Sequence, residues 1–298
     1  MTLTNTMIAI GIALQSVLAT PTCCHAATDA PAGAPQAICT VRVDASATRP
    51  CCPVLVEIAL QNTGNAPVVL KQPIGDKYGT VTIEIRGPDS ADFFALRTGY
   101  TGLKELLGYR SQLAPGETYA AHILLLCNLR DEWVFPRSGR YELRARIQYR
   151  DGEALSSPIR IDVQAEDPAI AEKLAGARAD LCHISLEEAL ASDRIERIAK
   201  AVSELPEYRT ALQWVQATAY VDPKDTASRP ALNAKLEALR DSAPSGSPWR
   251  ELTTATLAHR YAKAADTAKA ERLLAELKNR SELTDKARHA IGEQKSEP

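Results

Sequence analysis

Val54-Leu55-Val56-Glu57-Ile58-Ala59-Leu60, followed by Gln61-Asn62-Thr63-Gly64-Asn65, is a run of branched and aliphatic residues that stops at a cluster of turn formers. It reads as a β-strand closed by a tight turn. Working outward, Ile38 to Val43 lies upstream, and Pro67 to Lys71, Thr80 to Arg86, Thr118 to Leu126, Arg140 to Tyr149 and Ser157 to Val163 lie downstream. Several alternate apolar with polar residues, as a half-buried strand does. Seven short strands joined by turns predict an antiparallel β-sandwich.

The turns sharpen this reading. Leu113-Ala114-Pro115-Gly116-Glu117 feeds one strand, and Pro136-Arg137-Ser138-Gly139 feeds another that carries Tyr141 near its start, where a tyrosine can tie a sandwich corner. Together with Asn62-Thr63-Gly64, these motifs resemble bacterial immunoglobulin-like or fibronectin-like accessory domains, including the sandwich family of the bacterial intracellular proteinase inhibitors. The resemblance spans about Ile38 to Val163 and implies fold more than function. The chain departs from that inhibitor family in its apparent export leader, its extra cysteines and its helical second half.

Near Glu166 the composition changes from Gly-punctuated, β-branched sequence to Ala-rich sequence. Asp167-Pro168 and Ser247-Pro248 each pair an N-cap with a first-turn proline, and Ser185-Leu186-Glu187-Glu188 has capping-box spacing. Apolar residues recur on one face at Ile195, Ile198, Ala199 and Val202, at Tyr208, Ala211, Leu212 and Val215, and at Leu232, Leu236 and Leu239. Short connections between such helices predict antiparallel hairpins. Leu257-Ala258 with Tyr261, then Ala270, Leu274 and Leu277, resemble the packing positions of a tetratricopeptide repeat, with Thr254 and Glu282 in place of its aromatic and proline. That resemblance implies a groove that binds another protein. The competing expectation is a helical cap with no groove.

The expected organisation is a signal peptide over 1–26, a flexible linker over 27–35, an immunoglobulin-like β-sandwich over 36–165 and a TPR-like helical hairpin array over 166–298. The leader rests on the apolar stretch from Met7 to Ala19, too short to span a bilayer comfortably, with Ala19 and Ala26 as small residues before a cut. The first Arg or Lys is Arg42, so the terminal amine supplies the positive end. A periplasmic or secreted location follows, with no stable membrane span.

Cys39, Cys51, Cys52, Cys127 and Cys182 remain beyond that leader and are disulfide candidates in an oxidising compartment. The neighbours Cys51 and Cys52 bridge each other only with strain, so one of them is expected to reach a distant partner such as Cys127 or Cys182. No metal site is expected, because His122, His183 and His259 stand apart and no paired Cys-x-x-Cys occurs. The 35 Lys and Arg against 37 Asp and Glu, mixed along the chain, argue against a nucleic-acid partner.

No Gly-x-Ser-x-Gly, Ser-x-x-Lys, His-Glu-x-x-His, Walker-type or Gly-x-Gly-x-x-Gly pattern occurs, so no catalytic or cofactor-binding residue is assigned and no cofactor is expected. The expected function is an exported, non-enzymatic protein-interaction or scaffold protein of the bacterial envelope, with another protein as partner. The insertion Pro88 to Arg110 supplies a candidate binding loop through Phe93, Phe94, Tyr100 and Tyr109. The alternative is a sandwich-type protease inhibitor acting through that loop, for which substitution of Phe93 and Phe94 should abolish inhibition and leave the fold intact. A second alternative is an enzyme with no recognisable motif, which should bring His122 together with Asp or Glu side chains at a pocket.

Overall fold

The computed structural model describes residues 36–70, 72–75, 78–96, 111–128, 130–165, 167–182, 184, 192–218 and 228–296. The expected leader and linker, Tyr100, Tyr109 and the Ser185–Glu188 capping box lie outside the described residues. The strands among the described residues are β1 (Ala37–Val43), β2 (Ala47–Thr48), β3 (Val54–Asn62), β4 (Val68–Leu70), β5 (Val81–Arg86), β6 (Phe94–Leu96), β7 (Ser111–Leu113), β8 (Thr118–Leu125), β9 (Gly139–Tyr149), β10 (Gly152–Leu155) and β11 (Ile159–Val163). All seven expected strands are among them. The additional ones, β2, β6, β7 and β10, have two to four residues each, too few for an alternating pattern to show.

One sheet has the order β1-β3-β8, a second the order β2-β11-β9-β5-β6 with β10 also beside β9, and β4 pairs β7. The pairs are antiparallel except β2 with β11. Val54, Val56, Ile58 and Leu60 of β3 join Tyr119, Ile123 and Leu125 of β8 in a core closed by Ile83, Ile85, Leu143, Ile147 and Ile161 of the second sheet. This is a β-sandwich.

The turn chemistry holds its edges. Asn62, fully buried, donates through Nδ2 to the carbonyls of Ala66 (2.9 Å) and Leu113 (2.8 Å) and accepts from the Gly64 N–H at 3.0 Å, so its amide is satisfied without water. Tyr141 donates its hydroxyl to the Arg137 carbonyl at 3.1 Å, the corner tie expected from its place in the sequence. Gly139, just before it, has φ 138°, and a Cβ there would stand 2.6 Å from Pro88 Cβ.

After β11 the chain is helical: α1 (Pro168–Leu181), α2 (Ser192–Val202), a 3₁₀ turn (Pro206–Tyr208), α3 (Arg209–Thr218), α4 (Arg229–Ser242), α5 (Pro248–Lys263), α6 (Thr267–Glu276) and α7 (Glu282–Ser296). Asp167 caps α1 by accepting from the Ala169 N–H, and Ser247 caps α5 by accepting from the Arg250 N–H. Helix α7 was not anticipated from the sequence. Its start uses Ser281 and Thr284, each hydroxyl accepting from the other residue's backbone N–H at 3.3 and 2.8 Å, a capping box with Thr where Glu or Gln is usual.

These helices do more than stack on one another. Leu174, Ile198, Tyr208, Trp214, Leu236, Leu252, Leu257, Leu273 and Ile291 share one apolar core with Cys51, Cys52, Leu55 and Leu126 from the strand half. The described residues accordingly fall in one compact unit. The period-two geometry of β3 explains how: its even-numbered residues fill the sandwich, while Leu55 belongs to the core shared with the helices. The far edge of β8 is also closed from the helical half, since the Arg280 N–H donates to the Thr118 carbonyl (2.9 Å) and the Ala120 N–H donates to the Arg280 carbonyl (2.6 Å).

The cysteine expectation needs correction. Cys127, just after β8, is bonded to Cys182, at the end of α1. Neither is therefore the partner of Cys51 or Cys52, because α1 folds back against the loop after β8 while Cys51 and Cys52 are buried in the core between strands and helices. Cys39 is buried in the sandwich with its thiol 3.5 Å from the Ala145 carbonyl, and burial pushes that thiol up to about 12.

Candidate functional site

On the face of the three-stranded sheet that meets the helices, β1, β3 and β8 place polar residues in one lateral row. Arg42 pairs in register with Glu57, and Glu57 with His122. Helix α5 brings Glu251 to the same point. Arg42 Nη2 lies 2.6 and 2.7 Å from the two Glu57 oxygens and 3.0 Å from Glu251 Oε1, and its Nη1 donates to the Gly246 carbonyl at 2.8 Å. His122 Nε2 lies 3.2 Å from Glu57 Oε2. Glu57 and His122 have side chains only 2% and 8% exposed.

A carboxylate this deep must be compensated. Burial raises the Glu57 carboxyl, but His122 and Arg42 outweigh it and hold the group below the usual carboxylate range. Glu251 moves the other way: burial and the adjacent Glu57 charge raise it, against the opposing Arg42 guanidinium. Just past the end of β1, Asp44 accepts from Trp249 Nε1 of α5 at 2.7 Å and from the Leu55 N–H at 2.9 Å.

His122 also borders a cavity of about 340 Å³ between sheet and helices. Ala120 and Ala121 of β8, Trp214 of α3, Leu252 and Ala255 of α5 and Leu283 of α7 give it apolar walls, and Thr256, Glu282 and Lys286 add polar groups. The indole N–H of Trp214 is buried there with no hydrogen-bond partner.

The sequence matches no protein-family model and no curated protein. Among solved structures, Spo0M, a sporulation control protein of Bacillus subtilis, is similar over 49% of this chain and 55% of its own, at 12% identity and a TM-score of 0.29. The CARDB domain of the PF1109 protein of Pyrococcus furiosus is similar over 44% of this chain and 89% of its own, at 11% identity and a TM-score of 0.24. A β-glucosidase of Erythrobacter marinus shows 13% identity and a TM-score of 0.26 over 44% of this chain, which spans 16% of the enzyme. Scores this low carry no argument about function.

The residues singled out from the sequence fall in different places. The Phe93 ring lies under two guanidiniums, with Arg144 Cζ at 4.2 Å and Arg86 Cζ at 4.7 Å from its centroid. The ring therefore packs against side chains of β5 and β9. Phe94, on β6, is 52% exposed. Sequence reading missed Arg42, Glu57 and Glu251. The available signal was Glu57 itself: a charge inside an otherwise unbroken apolar strand, where both faces are covered, has to find a partner.

Proposed function

We propose that the chain is an exported, non-enzymatic protein-interaction or scaffold protein of the bacterial envelope, periplasmic or secreted, with another protein as its partner. The observation that carries this reading is Phe94. A large apolar ring stands in water on β6, the last strand of its sheet among the described residues, beside backbone groups that no described strand takes up. Such an edge is a template for pairing with another chain, and an exposed aromatic beside it supplies the apolar anchor. The helical half supports a scaffold role by bracing the opposite sheet, and its likeness to tetratricopeptide hairpins belongs to this reading.

A second reading, an enzyme without a recognisable motif, has one observation in its favour: His122 does converge with Glu57 and Glu251 beside a cavity. Against it, both Glu57 oxygens are already engaged by Arg42, which suits a fixed ion-pair network better than a base that must exchange protons with substrate.

The test is affinity capture from native envelope extract with the full oxidised chain and its Phe94→Asp variant. A specific protein retained by the wild type and lost by the variant, with unchanged circular dichroism, is expected. Equal retention by both chains would move the interface away from β6.

A further inference from the structure

The contact between His122 and Glu57 is not an ordinary hydrogen bond. His122 Nε2 is buried and has no hydrogen-bond partner, although Glu57 Oε2 is only 3.2 Å away. The ring nitrogen and the carboxylate oxygen are close without being aligned on one another. That is close to the relation of two ligands on one ion: bonds of about 2.0–2.2 Å at a tetrahedral angle put neighbouring ligand atoms roughly 3.3–3.6 Å apart. Glu251 completes a set, since one ligand atom from each of Glu57, His122 and Glu251 lies within 4.8 Å of the others.

We propose that His122 Nε2, Glu57 and Glu251 form a site for a divalent transition-metal ion of the zinc class, with a further position left for water. One imidazole and two carboxylates are a donor set such ions accept. Arg42 takes the role of the outer partner. A carboxylate offers about four lone-pair directions, so the guanidinium can keep its hold on Glu57 while one lone pair of Oε2 turns to the ion. The Asn279 amide, 3.5 Å from Glu251 Oε2, stands behind the other carboxylate. A dication also relieves the repulsion between Glu57 and Glu251, two carboxylates held together where water is largely excluded. Borders on the cavity at His122 give the ion a way in.

Two ligands lie on the sheet and one on α5, so the ion clamps strands to helices. Binding is linked to stability in the same way as any ligand of the folded state.

The experiment uses the full chain, stripped with chelator and then titrated with Zn²⁺ by calorimetry and with Co²⁺ by visible absorption. One equivalent bound, a Co²⁺ d–d band and a rise in Tm with Zn²⁺ are expected. Glu251→Gln and His122→Gln should both lose the band while keeping the far-UV spectrum, and Arg42→Lys should weaken binding by about 10- to 100-fold. Should His122→Gln fail to fold, Glu251→Gln, at the least buried of the three side chains, decides alone. Absence of binding by the folded wild type, or a Co²⁺ band that survives in Glu251→Gln, would overturn the assignment.

Discussion

Glu57 and His259 show how single buried groups constrain this molecule in opposite ways. Glu57 is kept charged by His122 and Arg42 on the two neighbouring strands, whereas His259 is kept neutral: burial, with Lys263 and Lys286 nearby, pushes it down to about 4 against a small opposing effect of Glu282. Its Nδ1 is buried with no hydrogen-bond partner. Between about 6.5 and 4 the unfolded chain therefore takes up a proton that the folded chain refuses. Stability from this group is complete above pH 6.5 and is lost as the pH falls toward 4. Thermal melts across that window should show a falling Tm, and His259→Gln should flatten the slope. An identical slope in the variant would place the titration elsewhere.

At the scale of elements, β3 and the segment before α7 do most to define the architecture. Strand β3 is covered on both faces, which is why its sequence is nearly continuous in apolar residues. Strand β8 would be an open edge but for Arg280, whose backbone pairs with it on both sides of Tyr119 and whose Nη1 donates to the Gln112 carbonyl at 2.9 Å. Closing an edge in this way removes a template for self-association. Arg280→Pro deletes the N–H donated to Thr118 and is expected to cost about 1–3 kcal/mol. It should also produce concentration-dependent oligomers in size-exclusion chromatography. Arg280→Ala, which keeps the backbone pair, should stay monomeric, and matching behaviour of the two variants would mean that the edge is not what the segment protects.

For the whole molecule, the decisive feature is a core that belongs to strands and helices together. Leu55, Leu126, Cys51 and Cys52 pack with helical residues, the Cys127–Cys182 disulfide links the two halves across 55 positions, Trp249 reaches Asp44, and Tyr208 donates its hydroxyl to the Cys51 carbonyl. Cutting the chain at Val163 would expose that apolar face of the sheet. The truncated protein is expected to bind a hydrophobic dye and to lose its sharp unfolding transition. A monomeric fragment with a cooperative melt would instead show that the helices are an appended array.

What the sequence by itself determined is local. Strand runs, the Asn62 turn, the Tyr141 corner and the proline-led caps of α1 and α5 depend on neighbours within a few residues, so period and turn chemistry reveal them. The change from strands to helices near Glu166 was legible for the same reason. Helix α7 was not, because its capping box substitutes Thr284 for an acid, and the edge strands were not, because they are too short to carry a pattern. Tertiary structure alone decided which cysteines pair, which face of β3 meets the helices, and that Arg42, Glu57, His122 and Glu251 share one point. Those four residues are separated by as many as 209 positions along the chain. Their meeting depends on register across three strands and on where α5 lands, and contacts made by register and docking leave no spacing in the sequence to read.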